Sequence, residues 1–324
     1  MRTLIVAALL GALLAGCTTD DTDALRLAFV STDDDADADK DPQRLADWIS
    51  AETGRDTTIH WVQNTDAVLA ALASGQVDAA FVDGAAGWFG WQRFDLDVIA
   101  ADLNSDGRSH YVAGAVVLAN STYTSMADLA GARSCHTGLL KSAGMFMPLG
   151  WMIDNGLVAV QGADDLASIV PTVEAFFSQA TIPESGAPYS GYGGALQCLS
   201  EDVGDVAFVK DSTVAEYCDP TSDAYRGEHT WCLDPSAYRM LQSFGNVPSH
   251  PVMVRNDLPT EARSALTNAL LALEDSEAGR DILDDVLETD GLVATNAQDH
   301  LGDYGRNLAK VPGIGQYVEN KLQS

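Results

Sequence analysis

Short apolar runs alternate with helical stretches along the first hundred residues. ALRLAFV (24–30) reads as a β-strand, STDDDADADKD as an acidic loop and PQRLADWISAETG as a helix. TTIHWVQ reads as a second strand. TDAVLAALASGQ reads as a helix with Thr65 as its N-cap and a glycine near its end, and VDAAFVDGAAGW holds a strand ending at Asp83. This strand–helix–strand rhythm predicts an α/β fold. Further along, YVAGAVVLA is a long apolar strand starting at Tyr111, SMADLAGA a short helix, and GDVAFVK and HPVMVRND further strands. TEARSALTNALLALEDS opens a set of terminal helices, and no internal repeat is present. Long strands near Tyr111 and near His250 are expected to connect two α/β domains. That makes a hinged, two-domain (Venus-flytrap) binding fold. Residues 25–110 and 252–324 form a discontinuous first domain, and residues 111–251 form the second. Ligands of such folds sit in the cleft, at the carboxyl ends of strands and the N-termini of helices.

A chain of 324 residues with 46% hydrophobic content can build one large core or two medium ones. Its formal net charge of −29 repels phosphates, which argues against nucleic-acid partners. MRTLIVAALLGALLAGC begins with a charge at Arg2 and an apolar run too short for an ordinary membrane span. The LAGC box ending at Cys17 resembles a lipoprotein signal. It implies removal of residues 1–16, lipid on Cys17, a polar tether over 17–24 and an extracytoplasmic, membrane-anchored protein. Asp33, Asp35 and Asp37 alternate as in calcium loops, but the glycine and distal glutamate of an EF-hand are missing, so the run reads as a solvated loop.

Four other cysteines remain: Cys135, Cys198, Cys218 and Cys232. An even number in an exported chain suggests two disulfides, and spacing leaves all three pairings open. Without a CxxC, a zinc ribbon or redox motif is not expected.

The stretch SCHTGLLKSAGMFMPLG (134–150) carries the strongest local chemistry. It places a hydroxyl, an ammonium and a small-residue turn at a predicted helix start, where free N–H groups point outward and the dipole end is positive. Thr137, Lys141 and the N–H groups left uncovered by the Ser-Ala-Gly turn form a candidate anion cradle.

This stretch closely resembles the anion motif of a transferrin lobe. DAAFVDGAAG, HYVAGAVVLA, SGYGGALQCLSEDVGDVAFVKDSTV and NVPSHPVMVR resemble, in family order, the segments that carry the four iron ligands. The resemblance covers 25–256 well and the C-terminal helices loosely. It implies Asp83, Tyr111, Tyr192 and His250 as ligands of Fe(III), with carbonate or bicarbonate held by Thr137, Lys141, Ala143 and Gly144. The chemistry is consistent. One carboxylate and two phenolates balance three positive charges, and a neutral imidazole adds a fourth donor that needs a partner at its other nitrogen. A phenol of pKa about 10 must lose its proton to the metal, so acid should release iron. The resemblance also implies a Cys135–Cys198 bridge, leaving Cys218 with Cys232. That second pair departs from the family pattern. So does Lys141, which stands where many lobes have an arginine fork. Lys210 matches a lysine of the family's pH-triggered opening, but no partner lysine is evident.

The reading is therefore a single-lobe ferric-iron-binding lipoprotein, monomeric, delivering iron to an ABC-type importer. An alternative is the receptor of a phosphate, phosphite or phosphonate ABC transporter, because LRLAFVSTDDD and YGRNLAKVPGI are similar to segments of those proteins. No nucleophile elbow, P-loop or HExxH is present, so catalysis is not expected.

Overall fold

The computed structural model describes residues 24–30 and 41–322. The signal segment, Cys17, its tether, and Asp33, Asp35 and Asp37 lie outside the described residues. The first stretch forms β1 (Leu25–Val30), α1 (Gln43–Thr53), β2 (Thr57–Val62), α2 (Thr65–Ala73), β3 (Ala79–Phe81), α3 (Gly84–Phe94) and β4 (Asp97–Asp102). Then come β5 (His110–Leu118), β6 (Arg133–Cys135), α4 (Met147–Asp154), α5 (Ile169–Glu174), β7 (Gln179–Thr181) and α6 (Gly191–Ser200). The middle closes with β8 (Val206–Lys210), α7 (Thr213–Cys218) and β9 (Tyr238–Pro248). The chain continues through β10 (Pro251–Val254), α8 (Thr260–Leu271), α9 (Glu277–Asp285), β11 (Leu292–Ala294), α10 (Ala297–Leu308) and α11 (Ile314–Leu322).

Two sheets result, ordered β11-β4-β10-β3-β1-β2 and β7-β6-β8-β5-β9. In the first, β1 runs parallel to β2 and β3, as strand–helix–strand units require, and β10 returns antiparallel between β3 and β4. Asp78 fastens that return strand. Its carboxylate receives the Arg26 guanidinium at 2.9 and 3.0 Å and Arg255 Nε at 2.7 Å. Burial works to raise the Asp78 pKa, but the arginine hydrogen bonds outweigh it and hold the carboxyl low.

Two details differ from expectation. Asn64, not Thr65, caps α2, its side chain accepting from Ala67 N at 3.0 Å. The long strand near His250 lies before it, as β9. The apolar run after His250 gives only the four-residue β10. β9 borders the second sheet with one neighbour, β5, so many of its positions stay half-exposed and show no apolar run. Both disulfides form, Cys135–Cys198 and Cys218–Cys232. Among the described residues no helix is long and apolar enough to cross a membrane.

The chain passes from the first sheet to the second after β4 and returns between β9 and β10. A second link is α10, whose buried Ala297, Leu301, Tyr304 and Leu308 form a helical stripe. α10 packs on α3 and β4 of one half and on α4 and β9 of the other. Its contact with α4 is backbone to backbone, because a Cβ on Gly150 would collide with the Asn307 carbonyl oxygen. Gly150→Ala is expected to cost about 1–3 kcal/mol in urea denaturation, as overpacking does. Gly315→Ala, on α11 with open space around it, should leave stability unchanged or slightly raised.

Candidate metal and anion site

Asp83 is placed by capping α3. Its Oδ1 accepts from Ala85 N at 2.9 Å and Ala86 N at 3.1 Å, which puts a carboxylate at the positive end of a helix. Gly84 lets this helix start press on the crossing, since a Cβ there would lie 2.7 Å from Pro248 Cγ. His250 follows within two residues. Its Nδ1 donates to Asp102 Oδ2 at 3.0 Å, which makes Nε2 the lone-pair nitrogen. Burial opposes the charge on Asp102, yet its bond to His250 keeps its pKa below the usual value.

Tyr111, the second residue of β5, lies opposite Val247. Asp83, Asp102, Tyr111, Ser142, His250 and Tyr304 line one cavity of about 260 Å³. Tyr192, on the first turn of α6, meets Tyr111 edge to face with ring centroids 6.3 Å apart. It lines the neighbouring pocket with Tyr189, Tyr217 and Trp231 instead. Three of the four expected ligands thus share a cavity, and the fourth reaches it through contact with Tyr111. Burial raises the pKa of both phenols. Their mutual hydrogen bond partly offsets that rise at Tyr111 and adds to it at Tyr192. Among the described residues no three His, Cys, Asp or Glu side chains cluster as a metal site.

The cradle forms at a π-helical turn, Ser142–Phe146, that runs straight into α4. Met145 N and Phe146 N both reach the Lys141 carbonyl at 3.0 Å. Thr137 is 4% exposed and its Oγ1 has no hydrogen-bond partner among the described residues. A Cβ on Gly144 would collide with that oxygen, so glycine is what lets the hydroxyl stand at the helix start. A buried hydroxyl without a partner and a glycine-only approach suit an oxyanion. Ser142 points the other way, with Oγ 3.1 Å from Tyr304 OH.

Sequence reasoning missed three residues. Asp102 orients His250. Tyr304, pushed up in pKa by burial, closes the cavity from α10. His136 locks the cradle, its Nδ1 donating to Gly144 O at 2.8 Å and its Nε2 accepting from Ser134 Oγ at 3.0 Å. The sequence signal for His136 was its position beside Thr137. Asp102 and Tyr304 carried none, being distant in the chain from what they touch. Lys210, expected to lack a partner lysine, pairs with the buried Glu216 at 2.5 Å and lies 5.3 Å from the centre of the Tyr192 ring.

A family model described as ABC transporter, phosphonate, periplasmic substrate-binding protein matches residues 27–300. Serotransferrin of Gadus morhua is 33% identical over 219 residues, covering 60% of this chain and 32% of the relative. Ovotransferrin of Gallus gallus is 33% identical over 220 residues, covering 59% and 30%. The chain thus spans about a third of the length of these relatives. Transferrin 1 of Manduca sexta superposes with a TM-score of 0.62 at 16% identity, over 89% of this chain and 52% of that one. A Xanthomonas citri protein solved with bound chloride gives 0.54 at 16% identity, over 92% and 99%. These likenesses bear out the two-domain periplasmic-binding-protein fold and the single-lobe transferrin resemblance. The families matched are binding and transport proteins.

Burial depresses the His136 pKa to about 4 from 6.5. The unfolded imidazole takes a proton below 6.5 and the folded one resists, so stability is full above that pH and falls as pH drops toward 4. Between pH 7.5 and 5 this amounts to about 2 kcal/mol. His136→Gln should remove most of that pH-dependent loss in urea titrations at the two pH values.

Proposed function

Because the chain belongs to the family of phosphonate periplasmic substrate-binding proteins of ABC transporters, we propose that it is an extracytoplasmic receptor. Its cargo is Fe(III), captured with a synergistic oxyanion of which carbonate is the simplest. The observation that carries this reading is the shared cavity of Asp83, Tyr111 and His250, with Tyr192 against Tyr111. One carboxylate and two phenolates neutralise a trivalent cation, and the imidazole held by Asp102 supplies a neutral donor. Thr137, Lys141 and the N–H groups of Ala143 and Gly144 hold the anion. The halves that close on the cargo are residues 25–110 with 252–324, and residues 111–251. Lipid on Cys17 keeps the protein at the outer face of the membrane, where an ABC-type importer collects the iron.

A second reading, an oxyanion receptor without metal, is favoured by the matched family and by the unpartnered Thr137 hydroxyl. Asp83 and Asp102 weigh against a phosphonate in the first cavity, since two carboxylates repel a dianion.

Adding Fe(III) from a weak chelator, with and without bicarbonate, tests the ferric reading. A phenolate-to-iron charge-transfer band should saturate at about one iron per chain, depend on bicarbonate and bleach on acidification, because both phenols must shed protons that burial holds. Tyr111→Phe with Tyr192→Phe should abolish it. No band for the unaltered chain, with heat released on adding phosphate or methylphosphonate in metal-free buffer, would establish the second reading. Lys141→Ala should weaken the anion requirement's half-saturation by about tenfold, the size of one charged hydrogen bond at an exposed lysine.

A further inference from the structure

Thr137 and Lys141 open on a second cavity of about 730 Å³, and Asp83, Tyr111 and His250 take no part in lining it. Its walls are mostly apolar: Leu139, Leu140, Val170, Ile182 and Pro183. Leu139 and Leu140, 36% and 38% exposed, flank it. Glu174 and Glu184, both exposed, also line it. Thr137 and Lys141 are the candidate anion-binding residues that line it, and the buried Thr137 Oγ1 has no hydrogen-bond partner among the described residues. A carbonate ion satisfies that pair and leaves the apolar wall in water. The space fits a ligand with two unlike halves.

We propose that the oxyanion held at Thr137 and Lys141 carries an apolar arm, so that the anion of this chain is an amphiphilic carboxylate or phosphonate and not bare carbonate. The inference rests on the reading that these groups hold an anion beside the metal cavity. The head sits at the Thr137 hydroxyl and the Lys141 ammonium, both of which line this cavity. The arm lies along Leu140, Val170, Ile182 and Pro183, each buried methylene multiplying affinity by about fourfold at most. Glu174 and Glu184 repel a second negative charge at the far end, which selects monoanions over dicarboxylates.

Calorimetry of the full chain, with and without one equivalent of Fe(III), tests this against acetate, butyrate, hexanoate and succinate, and against methyl-, butyl- and hexylphosphonate. Affinity should rise about two- to fourfold per methylene, with a heat-capacity change that grows more negative along the series. Whichever series binds tighter at equal length identifies the head. Succinate should bind at least about tenfold more weakly than butyrate. Ile182→Ser, or Leu140→Ser if the first variant folds poorly, should bring hexanoate close to acetate, and Thr137→Val should weaken every member. Equal affinities from acetate to hexanoate, or no heat with any anion in either condition, overturn the proposal. A bicarbonate-dependent iron band alongside a flat series would remove the apolar arm and leave the ferric reading standing. A steep series without an iron band under any anion would do the reverse.

Discussion

The chain crosses between its two sheets twice, and Ser249 bolts the crossings together. Its hydroxyl lies 2.6 Å from the Asp102 carbonyl and 2.8 Å from the Ser109 carbonyl, its N–H donates to Ser109 O, and its own carbonyl accepts from His300 Nε2 at 3.1 Å. One residue thereby ties the end of β4, the start of β5, the β9–β10 corner and α10. The candidate ligands hang from this bolt. Asp102 ends β4, Tyr111 is the second residue of β5, and His250 follows Ser249. Asp83 caps a helix pressed on Pro248 through Gly84. Their mutual placement is therefore set by a crossing at which the Ser249 hydroxyl, the His300 ring and one backbone N–H gather four chain segments.

That placement concentrates groups of one sign. Asp83, Asp102 and the Tyr111 phenol line a small space, with the Tyr192 ring against Tyr111, in a chain of net charge −29. Burial opposes ionisation of both phenols, so the neutral cavity is the stable one without a cation, and a cation must displace protons to bind. At the candidate anion cradle the sign reverses: Thr137 is unpartnered, Lys141 is cationic and a helix begins. The arrangement is bipolar. A cation at one end and an anion at the other relieve each other's field, and either alone leaves one end uncompensated.

The parts legible in the sequence were the ones encoded locally. The parallel strands β1 and β3 announce themselves by short apolar runs, and the helices between them by periodicity and terminal glycine. The grouping of Thr137, Lys141 and Gly144 was legible because they fall within eight positions. β9 was not, since an edge strand needs no continuous apolar pattern. Asp102 and Tyr304 were invisible for another reason: each acts on a partner more than a hundred positions away, His250 and Ser142, and no spacing within a window encodes that. Tyr192 shows the limit of motif transfer. The segment is in place, yet its ring reaches the other ligands by touching Tyr111 and lines a different pocket.

The second link between the halves constrains how the cleft can move. α10 touches the first half through Trp88, packed where Gly305 has no side chain, and the second through Gly150 and through Asn307 Nδ2, which donates to Phe244 O at 2.8 Å. Tyr304 on the same helix reaches Ser142, at the helix start that holds the anion cradle. Opening about the crossings must either strip α10 from α4, exposing a buried apolar stripe and breaking both polar contacts, or carry it away from α3. Each route costs packing that α10 makes in this structure. In the proposed receptor, α10 docking would contribute to the binding free energy, and Gly150 and Asn307, which do not line the candidate cavity, would act on cargo release.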